Sequence, residues 1–178
     1  STVGSLSGDG KQHHCDDVIS QLRVLSERHG DEKGLVHTVS YQWSERLHAH
    51  LNDIAMLHRS EDDRDAATII SQWQRSAKPM LLSPAMMEGV DLEGDRCRWQ
   101  ALAKVPYGNL GDSRVSHLVY RENDRQWYNE TTAQQIIQSA GRAVRSADDE
   151  AVYYVLDDDF SDVMTSSRTP DWFGEAVV

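Results

Sequence analysis

Short apolar runs alternate along this chain with segments of helical periodicity, and this alternation restricts its fold more than any other feature. The runs that predict strands lie at residues 34–40, 54–57, 80–83, 101–105 and 152–156. The segments that predict helices lie at residues 16–28, 42–52, 65–76 and 131–145. Strands separated by helices of this length favour crossover connections, so the sequence predicts an α/β fold with a parallel sheet and helices on both faces.

The length of the chain predicts one domain, because 178 residues can bury a core without disulfides or metals. Residues 1–12 are mostly small and polar and predict a flexible lead-in, which leaves residues 13–178 as the domain. Cys15 and Cys97 are far apart and outside any CxxC pattern. They indicate a reducing, cytoplasmic environment and no metal site. No apolar run approaches the ~20 residues of a membrane span, so no membrane partner is expected.

The charge of the chain is strongly acidic, with 18 Lys and Arg residues against 29 Asp and Glu residues and a formal net charge of -11. Most acids are Asp and most bases are Arg, which resembles the composition of proteins from salt-saturated cytoplasm and predicts a halophilic source. At molar salt the Debye length is roughly 3 Å, so repulsion between the chain and a nucleic acid would be strongly screened. The acidic charge therefore does not exclude a DNA partner.

The predicted helix near residue 140 has two chemically different faces. At 100° per residue, one face carries Gln134, Gln135, Gln138, Gly141, Arg142 and Arg145. The opposite face carries Ile136, Ile137, Ala140, Ala143 and Val144. Two arginines one turn apart beside a glycine can bind a phosphate, because the guanidinium fork matches phosphate oxygens. Spacing alone leaves open a solvated face with two salt-bridging arginines.

Four segments in a fixed order resemble motifs of the XPD/DinG-type superfamily 2 DNA helicases. Residues 138–145 resemble motif VI, QxxGRxxR, and residues 34–41 and 82–92 resemble motifs IV and V. Residues 104–107 are similar to the K-[LV]-P-[FY] step that follows motif V in that family. The resemblance implies the second RecA-like motor domain of such a helicase, with the RecA-like parallel sheet.

The resemblance also implies how the chain meets ATP. Arg142 and Arg145 would reach the γ-phosphate across an interdomain cleft, one of them as an arginine finger, and Gln138 would position these groups or the attacking water. Further contacts with the nucleotide are implied for Glu88, Gly89, Asp91 and Gly141. A role of Glu88 and Asp91 as surface acids stays open.

Contacts with single-stranded DNA are implied at the ends of two predicted strands. Ser40, Tyr41 and Ser83 would bind the DNA backbone through hydrogen bonds. Tyr41 or Trp43 would stack on a base, although core packing of Trp43 is an equally open interpretation.

One part of an ATP site is missing from the sequence. The only Gly-Lys pair, Gly10-Lys11, has Ser5 at the first glycine position of GxxxxGK[ST] and Gln12 after the lysine, so it is not a P-loop. Residues 149–152 resemble a DEAH-type Walker B motif but precede their strand. We therefore expect ATP and Mg²⁺ to be bound mainly by a first RecA-like domain. The iron–sulfur cluster of many relatives would also belong to that half.

The end of the sequence departs from the family pattern. Glu150 and Ala151 stand where the family has Tyr-Gly, and Asp159 stands where it has an arginine, so a role of that arginine is in doubt. The leading hypothesis is the motor domain of an ATP-dependent DNA helicase, inactive without its first domain. The alternative is a freestanding helicase-like module that binds nucleic acid or protein without ATPase activity. An unrelated α/β enzyme has no supporting GxSxG, HExxH or dinucleotide glycine motif.

Overall fold

A single parallel sheet forms the centre of the computed structural model, which describes residues 8–58, 66–84, 92, 96–121, 124–141, 151–167, 170 and 173, with the side chains of residues 8–13 and 66 excepted. The strands are β1 (Gly34–His37), β2 (Ala55–Leu57), β3 (Met80–Ser83), β4 (Trp99–Leu102) and β5 (Val152–Val155). Their order across the sheet is β2-β3-β1-β4-β5, and each neighbouring pair is parallel. The predicted parallel sheet is confirmed, with each strand at its expected place in the sequence.

The helices of the described residues connect and flank these strands. They are α1 (Gly8–His29), α2 (Tyr41–Leu51), α3 (Ala66–Arg75), α4 (Ser113–Ser116), α5 (Arg125–Ala140) and α6 (Asp159–Ser166), and a π-helical turn, His117–Arg121, follows α4. None of them is long and apolar enough to cross a membrane.

Several boundaries differ from the prediction. β1 ends at His37 and β4 at Leu102, each three residues before the predicted ends at residues 40 and 105. α1 begins at Gly8, within the predicted lead-in, since residues 8–15 contain no proline that would stop the helix from extending back from its buried residues Cys15, Val18 and Leu22. α5 begins at Arg125 because the side chain of Asp124 caps it, accepting from the backbone N–H of Trp127 at 2.9 Å. β4 begins at Trp99, two residues before the predicted residue 101. The prediction started too late because Gln100 is a polar residue inside a buried strand.

Alternating strand residues build the two sides of the core. Val36, Leu82 and Trp99 pack with α1 and α2 on one face, in a cluster that includes Val18, Leu22, Leu47 and Leu51. Leu35 and Leu81 point to the opposite face, where they pack against Ile69, Ile70 and Trp73 of α3. Leu102 joins α5 and α6 in a third cluster with Ala133, Ile136, Phe160 and Val163. Helices therefore cover both faces of the sheet, as predicted.

Lys33 closes the end of a helix in this arginine-rich chain. The ammonium group of Lys33 donates to the backbone carbonyls of Trp73, Ser76 and Lys78 at 3.2, 2.8 and 2.8 Å. Burial lowers the pKa of Lys33, with the charge of Asp31 opposing that shift. A compact ammonium with three donors suits three carbonyls that converge on one point, whereas a planar guanidinium does not. Lys33 therefore has a structural role at the end of α3.

Candidate nucleotide and nucleic-acid site

The carboxyl ends of β1 and β3 lie side by side in the sheet. Their register pairs His37 with Ser83, and the backbone N–H of Thr38 donates to the carbonyl of Ser83 at 2.9 Å. The segments that resemble motifs IV and V are therefore adjacent at this edge, where open parallel sheets commonly bind ligands.

His58, directly after β2, joins two of the predicted DNA-binding residues. Its Nδ1 lies 3.0 Å from the hydroxyl of Ser83, and its ring meets that of Tyr41 edge-on with centroids 6.2 Å apart. His58 and Ser83 are both buried. His58 was not predicted from the sequence, although a polar residue directly after an apolar strand is the signal that marks such a position.

The turn between β1 and α2 is strained. Val39 has a φ of 68°, a left-handed conformation that β-branched residues rarely adopt and that costs about 1–3 kcal/mol. The hydroxyls of Thr38 and Ser44 are hydrogen-bonded, and Ser40 caps α2 by accepting from the N–H of Trp43 at 3.2 Å. These contacts hold the turn in place and leave Ser40 exposed at the start of α2.

Trp43 is half-buried against the core cluster beside α1. The His14 ring stacks on its indole at 5.7 Å with an interplanar angle of 7°, and the guanidinium of Arg46 lies 6.0 Å from the ring centroid. Of the two open interpretations of Trp43, these contacts favour core packing over stacking on a base.

The end of α5 presents the described part of the motif VI segment. Gln138 and Gly141 are exposed, and the N–H of Gly141 donates to the carbonyl of Ile137 at 3.1 Å. Gly141 has φ -70° and ψ 0°, and a Cβ added to it would meet that carbonyl at 3.7 Å, an ordinary contact. The described residues therefore impose no need for glycine at this position. The predicted site residues Glu88, Gly89, Asp91, Arg142 and Arg145 lie outside the described residues.

A buried polar network ties the end of α5 to the sheet. The Gln100 amide donates to the carbonyl of Ala140 at 3.3 Å, and its oxygen lies 2.8 Å from Nε2 of His37. The hydroxyl of Tyr153 lies 2.7 Å from that of Ser139. This network was not predicted from the sequence, because the predicted strand began after Gln100. A glutamine within an apolar run was the available signal.

The acidic segment after β5 packs against the K-[LV]-P-[FY] step. The Asp157 carboxylate accepts from the N–H of Val105 at 2.8 Å and from the N–H of Asp159 at 3.1 Å. Burial, together with the charges of Asp159 and Asp157, raises the pKa of Tyr107 to about 12. Burial and the neighbouring carboxylates also raise the pKa of Asp159, which stands in the place of the family's arginine. The carboxylates of Asp157 and Asp159 repel anions, so the segment after β5 has the wrong charge for a phosphate site.

A cluster of three His, Cys, Asp or Glu side chains that could hold a metal ion is absent from the described ranges. Cys15 and Cys97 are buried free thiols, and burial raises the pKa of Cys97 to about 12. This thiol therefore stays protonated and unreactive at neutral pH.

Comparison with known proteins supplies the family. The helicase C-terminal domain family matches residues 23–176. A solved XPD helicase is similar in structure over 93% of this chain and 32% of its own, with a TM-score of 0.64 and 17% identity. Domain 2 of the DEAD-box helicase Mss116p, bound to an RNA duplex, has a TM-score of 0.53 and 8% identity over 85% of this chain and 54% of its own.

The C-terminal part of the Fun30 ATPase domain has the same TM-score, 0.53, with 13% identity over 86% of this chain and 46% of its own. The chain thus spans between a third and about half of the length of these structures. No curated protein sequence matches it. The structural matches confirm the predicted RecA-like fold. Because the family match extends over most of the chain, the chain belongs to the helicase C-terminal domain family.

Proposed function

We propose that this chain is the second motor domain of an ATP-dependent DNA helicase and completes an ATP site that a first RecA-like domain builds. The first domain would hold the P-loop and Mg²⁺, since the sequence here has no GxxxxGK[ST]. Any iron–sulfur cluster would also belong to the first domain. Membership of the helicase C-terminal domain family supports the pairing of the two domains.

The end of α5 is the observation that carries this proposal. Gly141 is exposed, has an ordinary helical φ and has room for a Cβ, so its identity serves neither the backbone nor the packing of the described residues. A glycine that the fold does not need allows close approach of another backbone or a ligand. We assign Arg142 and Arg145 to the γ-phosphate, with Gln138 positioning them or the attacking water.

Glu88, Gly89 and Asp91 complete the proposed nucleotide contacts. They follow β3, whose carboxyl end lies at the edge of the sheet where open α/β folds commonly bind ligands. We assign them on their resemblance to motif V.

The strained turn after β1 is the proposed DNA contact. Strain of the kind seen at Val39 is concentrated at functional sites, and Ser40 is exposed directly beside it. We propose that Ser40 binds the DNA backbone. The hydroxyl of Tyr41 is buried, which favours contact of its partly exposed ring with a base. Ser83 is fully buried against His58, which favours a supporting role for its hydroxyl over direct contact.

The need for a partner domain is directly testable. The chain alone is expected to show no ATP hydrolysis with single-stranded DNA at molar KCl, whereas a protein containing both motor domains hydrolyses ATP. The comparison measures phosphate release with single-stranded DNA and with RNA. Turnover by the chain alone would contradict the proposal. DNA binding by a natural protein that lacks a first motor domain would support the freestanding module instead.

Gly141→Ala is expected to separate fold from function. The substitution should leave the stability of the domain within about 1 kcal/mol, because Ala fits the observed φ and removes freedom from the unfolded chain. In the two-domain protein, the added methyl group should lower ATP turnover at least about tenfold by obstructing the close approach that a phosphate contact needs. Gln134→Ala is the matched control, since Gln134 is exposed on the same helix. Unchanged turnover in Gly141→Ala would count against a nucleotide contact there.

A further inference from the structure

We infer that Gln100 and Tyr153 are positioning residues that fix the last turn of α5, which lies just before Arg142 in the sequence. Neither residue belongs to a segment that resembles a helicase motif. Gln100 lies in β4 and Tyr153 in β5, and each reaches one of the last two residues of α5. The inference rests on the proposed role of the arginines.

The orientation of the Gln100 amide follows from its partners. A backbone carbonyl can only accept, so the Gln100 group 3.3 Å from the Ala140 carbonyl must be the NH₂. The amide oxygen then faces Nε2 of His37 at 2.8 Å, and this nitrogen must carry a proton. Gln100 and His37 are both buried, at 1% and 0% exposure, so losing either bond would leave a polar group without solvent compensation.

Tyr153 holds the preceding residue of the helix. The Ser139 hydroxyl donates to the carbonyl of Ile136 at 2.7 Å, so the Tyr153 hydroxyl donates to Ser139 across a 2.7 Å contact. Burial raises the pKa of Tyr153, which keeps this donor protonated throughout the neutral range. The Tyr153 ring also packs beside that of His37, with centroids 6.2 Å apart. Two strands therefore hold consecutive helix residues through one connected network.

The contacts of Gln100 and Tyr153 are made to the residues just before Arg142 in the sequence. The Ala140 carbonyl lies one residue before Gly141, where the helix ends, and two residues before Arg142. Gly141 has no tight neighbour among the described residues, so within that part of the chain the end of α5 is anchored through residues 139 and 140. A misplacement of about 1 Å in a group that stabilises a transition state can cost about 10²-fold in rate. Loosening this network should therefore affect the chemical step more than the binding of ATP.

The test uses the protein that contains both motor domains, with three variants. Gln100→Glu keeps an acceptor for His37 but removes the donor to Ala140, and Tyr153→Phe removes only the hydroxyl. Tyr154→Phe is the matched control, since Tyr154 is the next residue of the same strand and its hydroxyl bonds to His29 of α1 at 2.9 Å. For each variant, DNA-stimulated kcat and KM for ATP are measured together with hydrogen exchange of the peptide covering residues 136–141.

Gln100→Glu is expected to lower kcat at least about tenfold, and Tyr153→Phe at least about five-fold. KM for ATP should change less than about twofold in both variants, because the lost interaction acts in the transition state. Exchange in residues 136–141 should become faster, and Tyr154→Phe should change neither quantity. Normal kcat in both variants, with Arg145→Ala inactive, would overturn this inference and leave the proposed function standing. Normal kcat in Arg145→Ala as well would overturn the proposed function itself.

Discussion

Arg145→Ala in the two-domain protein should reduce ATP turnover by about 10³-fold or more, because removing an arginine finger has a cost of that size in other nucleotide hydrolases. Charge accumulates on the equatorial oxygens of the γ-phosphoryl group in the transition state, and a guanidinium aimed at them stabilises it without reorganisation. Quenched single-turnover measurement of phosphate formation, with the two-domain protein and single-stranded DNA in excess over ATP, isolates this step from product release.

Two further arginine variants make the measurement specific. Arg125→Ala removes the same charge from the exposed first residue of α5 and should leave turnover unchanged. Arg145→Lys keeps the charge but loses the planar fork, so it should stay strongly impaired if bidentate phosphate contact matters. Full activity in Arg145→Lys would reduce the role of Arg145 to a general positive charge. Turnover near the wild-type value in Arg145→Ala would remove the basis of the proposed function.

The roles of Arg142 and Arg145 need a combined experiment. Substitutions of residues that act on one transition state have strongly non-additive effects on rate. The double variant Arg142→Ala/Arg145→Ala should therefore turn over ATP only slightly more slowly than the less active of the two single variants. Independent losses that multiply would indicate that the two arginines act in different steps.

The strand pattern was predictable because the three central strands β1, β3 and β4 are fully buried and read as mostly apolar runs. Met80–Ser83 is the plainest case, since all four residues are buried and the prediction agrees with the observed bounds. Helix starts were harder to predict. α5 begins at Arg125, where the side chain of Asp124 caps the helix. The first turns of α5 are polar and lack the apolar periodicity from which a helix is predicted.

The candidate site was only partly predictable for a different reason. Tyr41 and Ser83 could be selected from motif resemblance, but their link through His58 depends on the order of strands in the sheet. Gln100 likewise reaches Ala140 across 40 positions of the sequence, and no local pattern encodes such a pairing. Motif residues can be recognised from the residues next to them in the sequence. Residues that position them, such as His58 and Gln100, make contacts that are distant in sequence and are not recognised in this way.

Gly34 shows how a motif residue can be required by packing alone. A Cβ at this position would overlap the indole of Trp99, its direct neighbour on the adjacent strand. The indole has no room to move away, because it is fully buried, stacks on His29 with centroids 5.3 Å apart and donates from Nε1 to the carbonyl of Glu32 at 3.3 Å. Gly34 itself is held in the centre of the sheet, where its N–H donates to the carbonyl of Pro79 at 2.9 Å.

Gly34→Ala should therefore destabilise the domain by about 1–3 kcal/mol or more, as overpacking of a rigid core does. Against a typical total of about 5–15 kcal/mol, this is a large loss, and urea unfolding followed by circular dichroism would measure it. Gly141→Ala is the matched glycine control, with no clash and no comparable loss expected. Trp99→Leu in the Gly34→Ala background should recover part of the lost stability, because the smaller side chain removes the overlap. A double-mutant cycle of the two substitutions should show a coupling energy of about 0.5–3 kcal/mol. Additive effects of the two substitutions would mean that the indole is not what demands glycine at position 34.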